Sequence, residues 1–272
     1  MGKKSIIYDG ACTLCIRSKN SLLRLGLAQK DYTWAYQDMP DQYLAAVDYE
    51  RFRNEMALID LEGGETLYGP DAVVHILSAK LLIFKWLFSI GLIYRIFAWF
   101  YKIVALNRTA IMVPRLKKVR CASCEPDTPS EYRWRWVTIA MSLGILIAWA
   151  FGVLKAENLS HPRFYLGILS LLLLFYYIIR RSKENYLEIA AHAAGLFVWA
   201  MSLMSIGFFL MDRLFENLPI NIWILFFAIP GFFIYRDFKL RSDFLQLSIE
   251  ERVLGGLILG LIFLLFYLSL IF

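Results

Sequence analysis

From about Trp136 to its last residue the chain alternates long apolar runs with short charged clusters. A helix needs about 20 mostly apolar residues to cross a hydrocarbon core of about 30 Å. Five runs reach or approach that length: Trp136–Leu154, Phe164–Ile179, Ala190–Met211, Leu218–Tyr235 and Val253–Phe272. Trp134, Trp136, Tyr176, Tyr177 and Tyr235 lie near their ends, where aromatic rings anchor helices at the membrane surface. The whole chain is 59% apolar and 19% charged, against about 45–50% and about 25% in soluble domains.

Lysine and arginine in the short loops set the orientation. Arg115, Lys117, Lys118, Arg120, Arg133 and Arg135 precede the first run. Lys155 and Arg163 lie in the first loop, Arg180, Arg181 and Lys183 in the second, Arg213 in the third, and Arg236, Lys239, Arg241 and Arg252 in the fourth. Alternation places the N-terminal part and the second and fourth loops in the cytoplasm, with the C-terminus on the opposite side. The net charge of +6 is concentrated at these flanks. It therefore points to anionic lipid, not to nucleic acid, as the partner.

Leu81–Leu106 is also strongly apolar but carries Lys85, Arg95 and Lys102. A charge in hydrocarbon costs about 2.5–3.5 kcal/mol on insertion scales, and three in one span argue against crossing. This stretch is expected to form one or two helices packed on the N-terminal domain or lying at the membrane surface, with a sixth span, which would reverse the side of the N-terminal domain relative to the loops, as the alternative.

The first 80 residues mix charged and apolar side chains as a globular domain does. The opening apolar run, Ile6-Ile7-Tyr8, is too short for a signal-peptide core of roughly 7–15 residues. Ser5–Asp9 is expected as a strand, broken by Gly10. An amphipathic helix follows, with Ile16, Leu22, Leu23 and Leu27 on its apolar side. Strands are expected at Tyr32–Tyr36, Met56–Leu61 and Glu65–Tyr68, helical material over Pro40–Arg53, a tight turn at Glu62-Gly63-Gly64-Glu65, and a helix over Asp71–Ser78. The order β-α-β-α-β-β-α is a thioredoxin-like plan. The fold expected is thus an α/β thioredoxin-like domain over residues 1–125, a linker over 126–135 and an all-α transmembrane bundle over 136–272.

Cys12 and Cys15 fall at the first strand-to-helix junction. Unpaired N–H groups and a partial positive charge at a helix N-terminus favour a thiolate over a thiol. Cys12, expected to be the more exposed, is the candidate attacking thiol and Cys15 the resolving one. Asp9 is a candidate proton acceptor for Cys15. The spacing alone leaves three readings open: a redox centre, half of a metal site, or inert thiols.

The segment Tyr8–Cys15, with Asp9, Cys12 and Cys15, resembles the opening of the DCC family, classed as thiol-disulfide oxidoreductases with an Asp-x-x-Cys-x-x-Cys pattern. The resemblance continues through Gly63–Leu77 and through Tyr101–Ile111, where Ala105, Asn107 and Arg108 match the family's closing segment. It covers roughly residues 5–125. It implies a thioredoxin-like fold and dithiol–disulfide exchange with a thiol or disulfide partner that the sequence does not name.

Cys121 and Cys124 form a second pair in the segment before the first apolar run. They are secondary candidates, as a relay to Cys12 and Cys15 by thiol exchange, as half of a four-cysteine zinc site, or as reduced bystanders. The alternatives to an oxidoreductase are a zinc-binding membrane module and a transporter or lipid-binding bundle with a degenerate redox domain. His192, with Glu188 one turn before it, is expected near a membrane interface in a packing contact among alanines. No cofactor is expected, since neither a nucleotide-binding glycine motif nor a flavin signature is present.

Overall fold

The computed structural model describes residues 4–114, 126–150, 186–214, 220–257 and 259–260. Contacts divide the chain into two units, Met1–Tyr132 and Arg133–Phe272.

In the first unit, β1 (Lys4–Tyr8), β2 (Thr33–Ala35), β3 (Ala57–Asp60) and β4 (Leu67–Tyr68) form one mixed sheet in the order β2-β1-β3-β4. β1 runs parallel to β2, with Ile6 opposite Thr33, and antiparallel to β3, with Ile6 opposite Leu58; β3 and β4 are antiparallel. The parallel pair needs a crossover, and α1 (Thr13–Arg24) lies within it. The remaining helices of the unit are α2 (Asp41–Leu44), α3 (Tyr49–Phe52), α4 (Gly69–Lys80), α5 (Leu82–Ser89), α6 (Gly91–Leu106) and α7 (Arg108–Ile111). This mixed sheet with its helices is consistent with a thioredoxin-like domain.

Successive strand side chains point to opposite faces, and both faces of this sheet are covered. Ile6 and Leu58 pack with Ala72 and Ile76 of α4 and with Leu22. Ile7, Ala57 and Ile59 pack with Met39, Val47, Phe52 and Tyr68. α4 begins at Gly69, two residues before the expected Asp71, because Pro70 fits the first helical turn, where its missing N–H is not needed. Gly69 takes a φ of +55°, where other residues are strained, and a Cβ there would lie 2.5 Å from Glu55 Oε2, so glycine suits the position. β4 is shorter than the expected Glu65–Tyr68; Thr66 instead donates its hydroxyl to the Ala46 carbonyl.

The second unit is mostly helical among its described residues. It contains most of α8 (Ser130–Ala150), together with α9 (Tyr186–Leu214) and α10 (Ile220–Phe244). Among the described residues one helix is long and apolar enough to cross a membrane, at Tyr186–Gly207. The pair α5–α6 would be a second only if its 99° bend were the break in a single span. About five spans were expected from the apolar runs; among the described residues one helix meets that requirement. α8 carries Arg133 and Arg135 in its first two turns, ahead of the expected span. α10 carries Pro230 and runs past the expected end at Tyr235 into Arg236, Asp237, Lys239, Arg241 and Asp243. The expected spans Phe164–Ile179 and most of Val253–Phe272 lie outside the described residues.

α8, α9 and α10 are joined by a chain of charged and polar side chains. Arg133 pairs with Glu188 at 2.7 Å, Glu188 lies 3.3 Å from His192 Nε2, His192 Nδ1 lies 3.4 Å from Arg241, and Arg241 pairs with Asp237 at 2.7 Å. Trp136 Nε1 donates to the Ala191 carbonyl at 3.1 Å. His192 is buried beside Ala190, Ala191 and Ala194, but its polar neighbours come from other helices as well as its own. The expected contact among alanines was therefore only part of its setting.

Ile59 is fully buried in the sheet core. Ile59→Ala removes transfer free energy and leaves a cavity, which costs about 2–5 kcal/mol. Urea-series pulse proteolysis of the purified full chain should show the midpoint for the N-terminal unit lowered accordingly. A loss below about 1 kcal/mol would mean that the sheet is not the packed centre of this unit.

Candidate functional site

β1 ends at Tyr8, and the next four residues turn the chain into α1. The Asp9 side chain starts the turn by accepting the Ala11 N–H at 2.9 Å through Oδ1. Gly10 follows in a space that admits no side chain, since a Cβ would lie 2.9 Å from both Ala35 Cβ and Gln37 Oε1. Gln37, just after β2, locks the turn from the neighbouring strand. Its Oε1 accepts the Gly10 N–H at 3.0 Å, and its Nε2 donates to Asp9 Oδ1 at 3.1 Å.

Cys12 is the N-cap of α1, with extended backbone angles of φ −85° and ψ 116°. Its sulfur takes the place that a serine oxygen commonly fills, accepting the Cys15 N–H at 3.2 Å. Thr13–Arg24 has no acidic residue in its first turn, so nothing there offsets the positive helix end. Cys12 and Cys15 are both free thiols.

The two thiols ionise unequally. The Cys12 pKa is lowered, first by the hydrogen bond from the Cys15 thiol and then by the Arg108 charge and the Cys15 backbone N–H; burial and Asp9 oppose this. The Cys15 pKa is raised well above the ordinary thiol value, first because that same hydrogen bond needs its proton and then by burial. When the pair loses its first proton, the proton that remains is therefore held on Cys15 and the charge falls on Cys12.

Arg108, the first residue of α7, brings a guanidinium to within 3.6 Å of Asp9 Oδ2. Both side chains are buried, at 7% and 9% exposure. Asp9 is expected from the sequence to be a proton acceptor, but its oxygens are engaged by Ala11, Gln37 and Arg108. Its position suits holding Arg108 in place beneath the thiols. Cys12 is also not the more exposed thiol: it is buried, and Cys15 is half-buried. The cause is the cap itself, which turns the Cys12 sulfur back onto the helix. The next residue, Thr13, is tied by its hydroxyl to the carbonyl of buried Val113 at 3.0 Å.

Tyr101 supports the same end of the sheet. Its hydroxyl accepts the Met56 N–H at 3.1 Å, just ahead of β3. Asn107, fully buried, donates to the carbonyls of Ile103 and Tyr132 at 2.8 and 3.1 Å. It thereby fixes the α6–α7 junction that carries Arg108. Among the described residues, no group of three or more His, Cys, Asp or Glu side chains is placed to hold a metal ion. Cys121 and Cys124 lie outside the described residues.

The sequence model of the DCC1-like thiol-disulfide oxidoreductase family matches residues 6–113. That stretch contains Asp9, Cys12, Cys15, Tyr101 and Arg108. The match supports a redox enzyme of the thiol-disulfide class and stops before the helical unit. No curated protein and no solved structure matches the chain.

The charges around Cys12 make opposite predictions for two variants. Arg108→Gln removes a charge that favours the thiolate, so the pH midpoint of Cys12 alkylation should rise. Asp9→Asn removes a charge that disfavours it and keeps an oxygen for the Ala11 N–H, so the midpoint should fall. Mass-resolved alkylation rates against pH provide the check. Shifts of the same sign in both variants would contradict this electrostatic assignment.

Proposed function

We propose that the N-terminal unit exchanges its Cys12/Cys15 dithiol with disulfides of proteins or small molecules. The observation that carries this reading is the unequal pair at the helix cap, with a favoured thiolate on Cys12 and a proton held on Cys15. The match to a thiol-disulfide oxidoreductase family over the same residues supports it.

The Cys12 thiolate attacks one sulfur of the substrate disulfide. A mixed disulfide forms, and the other substrate sulfur departs as a thiolate. Forming that bond removes the Cys12 charge and its hydrogen bond, the largest cause holding the proton on Cys15. Cys15 then loses its proton to the departing thiolate or to water and attacks the Cys12 sulfur. The second substrate thiolate leaves, the substrate has gained two electrons, and the enzyme carries a Cys12–Cys15 disulfide. An external thiol donor returns it to the dithiol. Asp9 and Arg108 are positioning residues in this scheme, balancing one another so that the helix cap decides which thiol ionises. Cys121 and Cys124 are proposed as the relay that passes electrons to or from the first pair.

The helical unit attaches this domain to a bilayer in a multi-pass arrangement. Its support is the long apolar helix at Tyr186–Gly207 and the apolar runs around it. The lysine and arginine bias of the loops supports a cytoplasmic N-terminal unit with the C-terminus opposite.

Single-cysteine variants test the exchange reaction with Cys121 and Cys124 replaced by serine, so that only the first pair reports. Cys15→Ser should accumulate a mixed disulfide on Cys12 when a disulfide peptide is added. Cys12→Ser should reduce exchange to the uncatalysed background. Exchange that persists in Cys12→Ser would overturn the proposal.

A further inference from the structure

We infer that α5 and α6 are a docking surface by which the N-terminal unit lies on an anionic bilayer surface. This contact is separate from any helix that crosses the membrane.

The inner side of α6 is fully used. The Tyr94 hydroxyl donates to Asp71, the Tyr101 hydroxyl accepts the Met56 N–H, and the Phe97 ring packs on Phe88 of α5 with centroids 4.9 Å apart. The outer side of such a helix is normally polar. Here it is apolar and exposed: Leu82, Ile83, Trp86 and Leu92 are each at least 66% exposed, and Ile96 and Trp99 are exposed beside them. An apolar face on this scale marks an interaction site.

Three properties select lipid as the occupant. Lys85, Arg95 and Lys102 are exposed among these residues, and Leu81–Leu106 contains no acidic residue, so the surface is apolar and purely cationic. That combination complements anionic headgroups above an acyl boundary. Trp86 and Trp99 supply the amphipathic rings enriched at that depth. The geometry also fits lying better than crossing. α6 has 16 residues, about 24 Å at about 1.5 Å per residue, short of a hydrocarbon core of about 30 Å. α5 is shorter still, and the 99° bend between them lets both axes lie in one plane along a surface.

Full-length protein in nanodiscs of phosphatidylcholine, with or without phosphatidylserine, gives the test. Each nanodisc carries a photoactivatable diazirine lipid with the reactive group either just below the glycerol or at the acyl-chain end, and adducts are mapped by mass. The expected result is labelling within Leu82–Leu106 by the shallow probe, several-fold stronger with phosphatidylserine, and little by the deep probe. Deep labelling equal to shallow would make the pair a broken span and overturn the inference. No labelling by either probe would mean that protein covers this face, which also overturns it. Deep labelling of Tyr186–Gly207 in the same samples reports separately on the membrane-crossing helix. The combined variant Lys85→Glu, Arg95→Glu and Lys102→Glu should lose the phosphatidylserine enhancement. Added salt should weaken the same enhancement in the unaltered protein, a readout that no folding defect affects; enhancement indifferent to salt contradicts the electrostatic part.

Discussion

The buried ion pair between Asp9 and Arg108 joins the two ends of the thiol unit. Asp9 follows the first strand, and Arg108 opens the last short helix before the segment that reaches Val113. Removing one partner of a buried pair leaves an uncompensated charge, at a cost of about 3–5 kcal/mol. The contact therefore ties the closing segment to the start of the sheet as well as setting the local field. Asp9 raises and Arg108 lowers the pKa of each thiol. With these two charges opposing each other, the choice of thiolate falls to the helix cap. Cys12 has the Cys15 N–H and the Cys15 thiol as donors, whereas Cys15 is held as the donor.

The helical unit shows a second use of buried charge. In an apolar bundle, packing among similar surfaces specifies little, and polar contacts fix which helices meet. The chain from Arg133 through Glu188, His192 and Arg241 to Asp237 pairs each carboxylate with an arginine, bridges the two pairs through His192 and connects three helices. This cluster accounts for the position of a buried histidine without giving it a chemical role.

Much of the site was legible because it is local. An apolar triplet, a glycine and two cysteines at helical spacing place the thiols at a strand-to-helix junction, and the structure has them there. The β-α-β-α-β-β-α order follows from alternating patterns of the same short range. Arg108 was visible only as part of a resemblance, because its role depends on Asp9, distant in sequence, and no periodicity connects them. Cys12 was expected to be the more exposed thiol because helix N-termini commonly are exposed; that its sulfur itself caps the helix, and so turns back onto it, is not written in the spacing. Gln37 was missed for the same reason. Of the five expected spans, one coincides with a helix long and apolar enough to cross a membrane, at Tyr186–Gly207, while Phe164–Ile179 and most of Val253–Phe272 lie outside the described residues.

The central claim is that Cys12 and Cys15 form a reversible redox couple. Purified full-length protein equilibrated across glutathione redox buffers, followed by differential alkylation and mass mapping of all four cysteines, tests it most directly. The account predicts a Cys12–Cys15 disulfide that forms and breaks reversibly, with a midpoint in the range of cellular thiol buffers. If Cys12 and Cys15 stay reduced across the series, the cap geometry serves structure alone and the redox account fails.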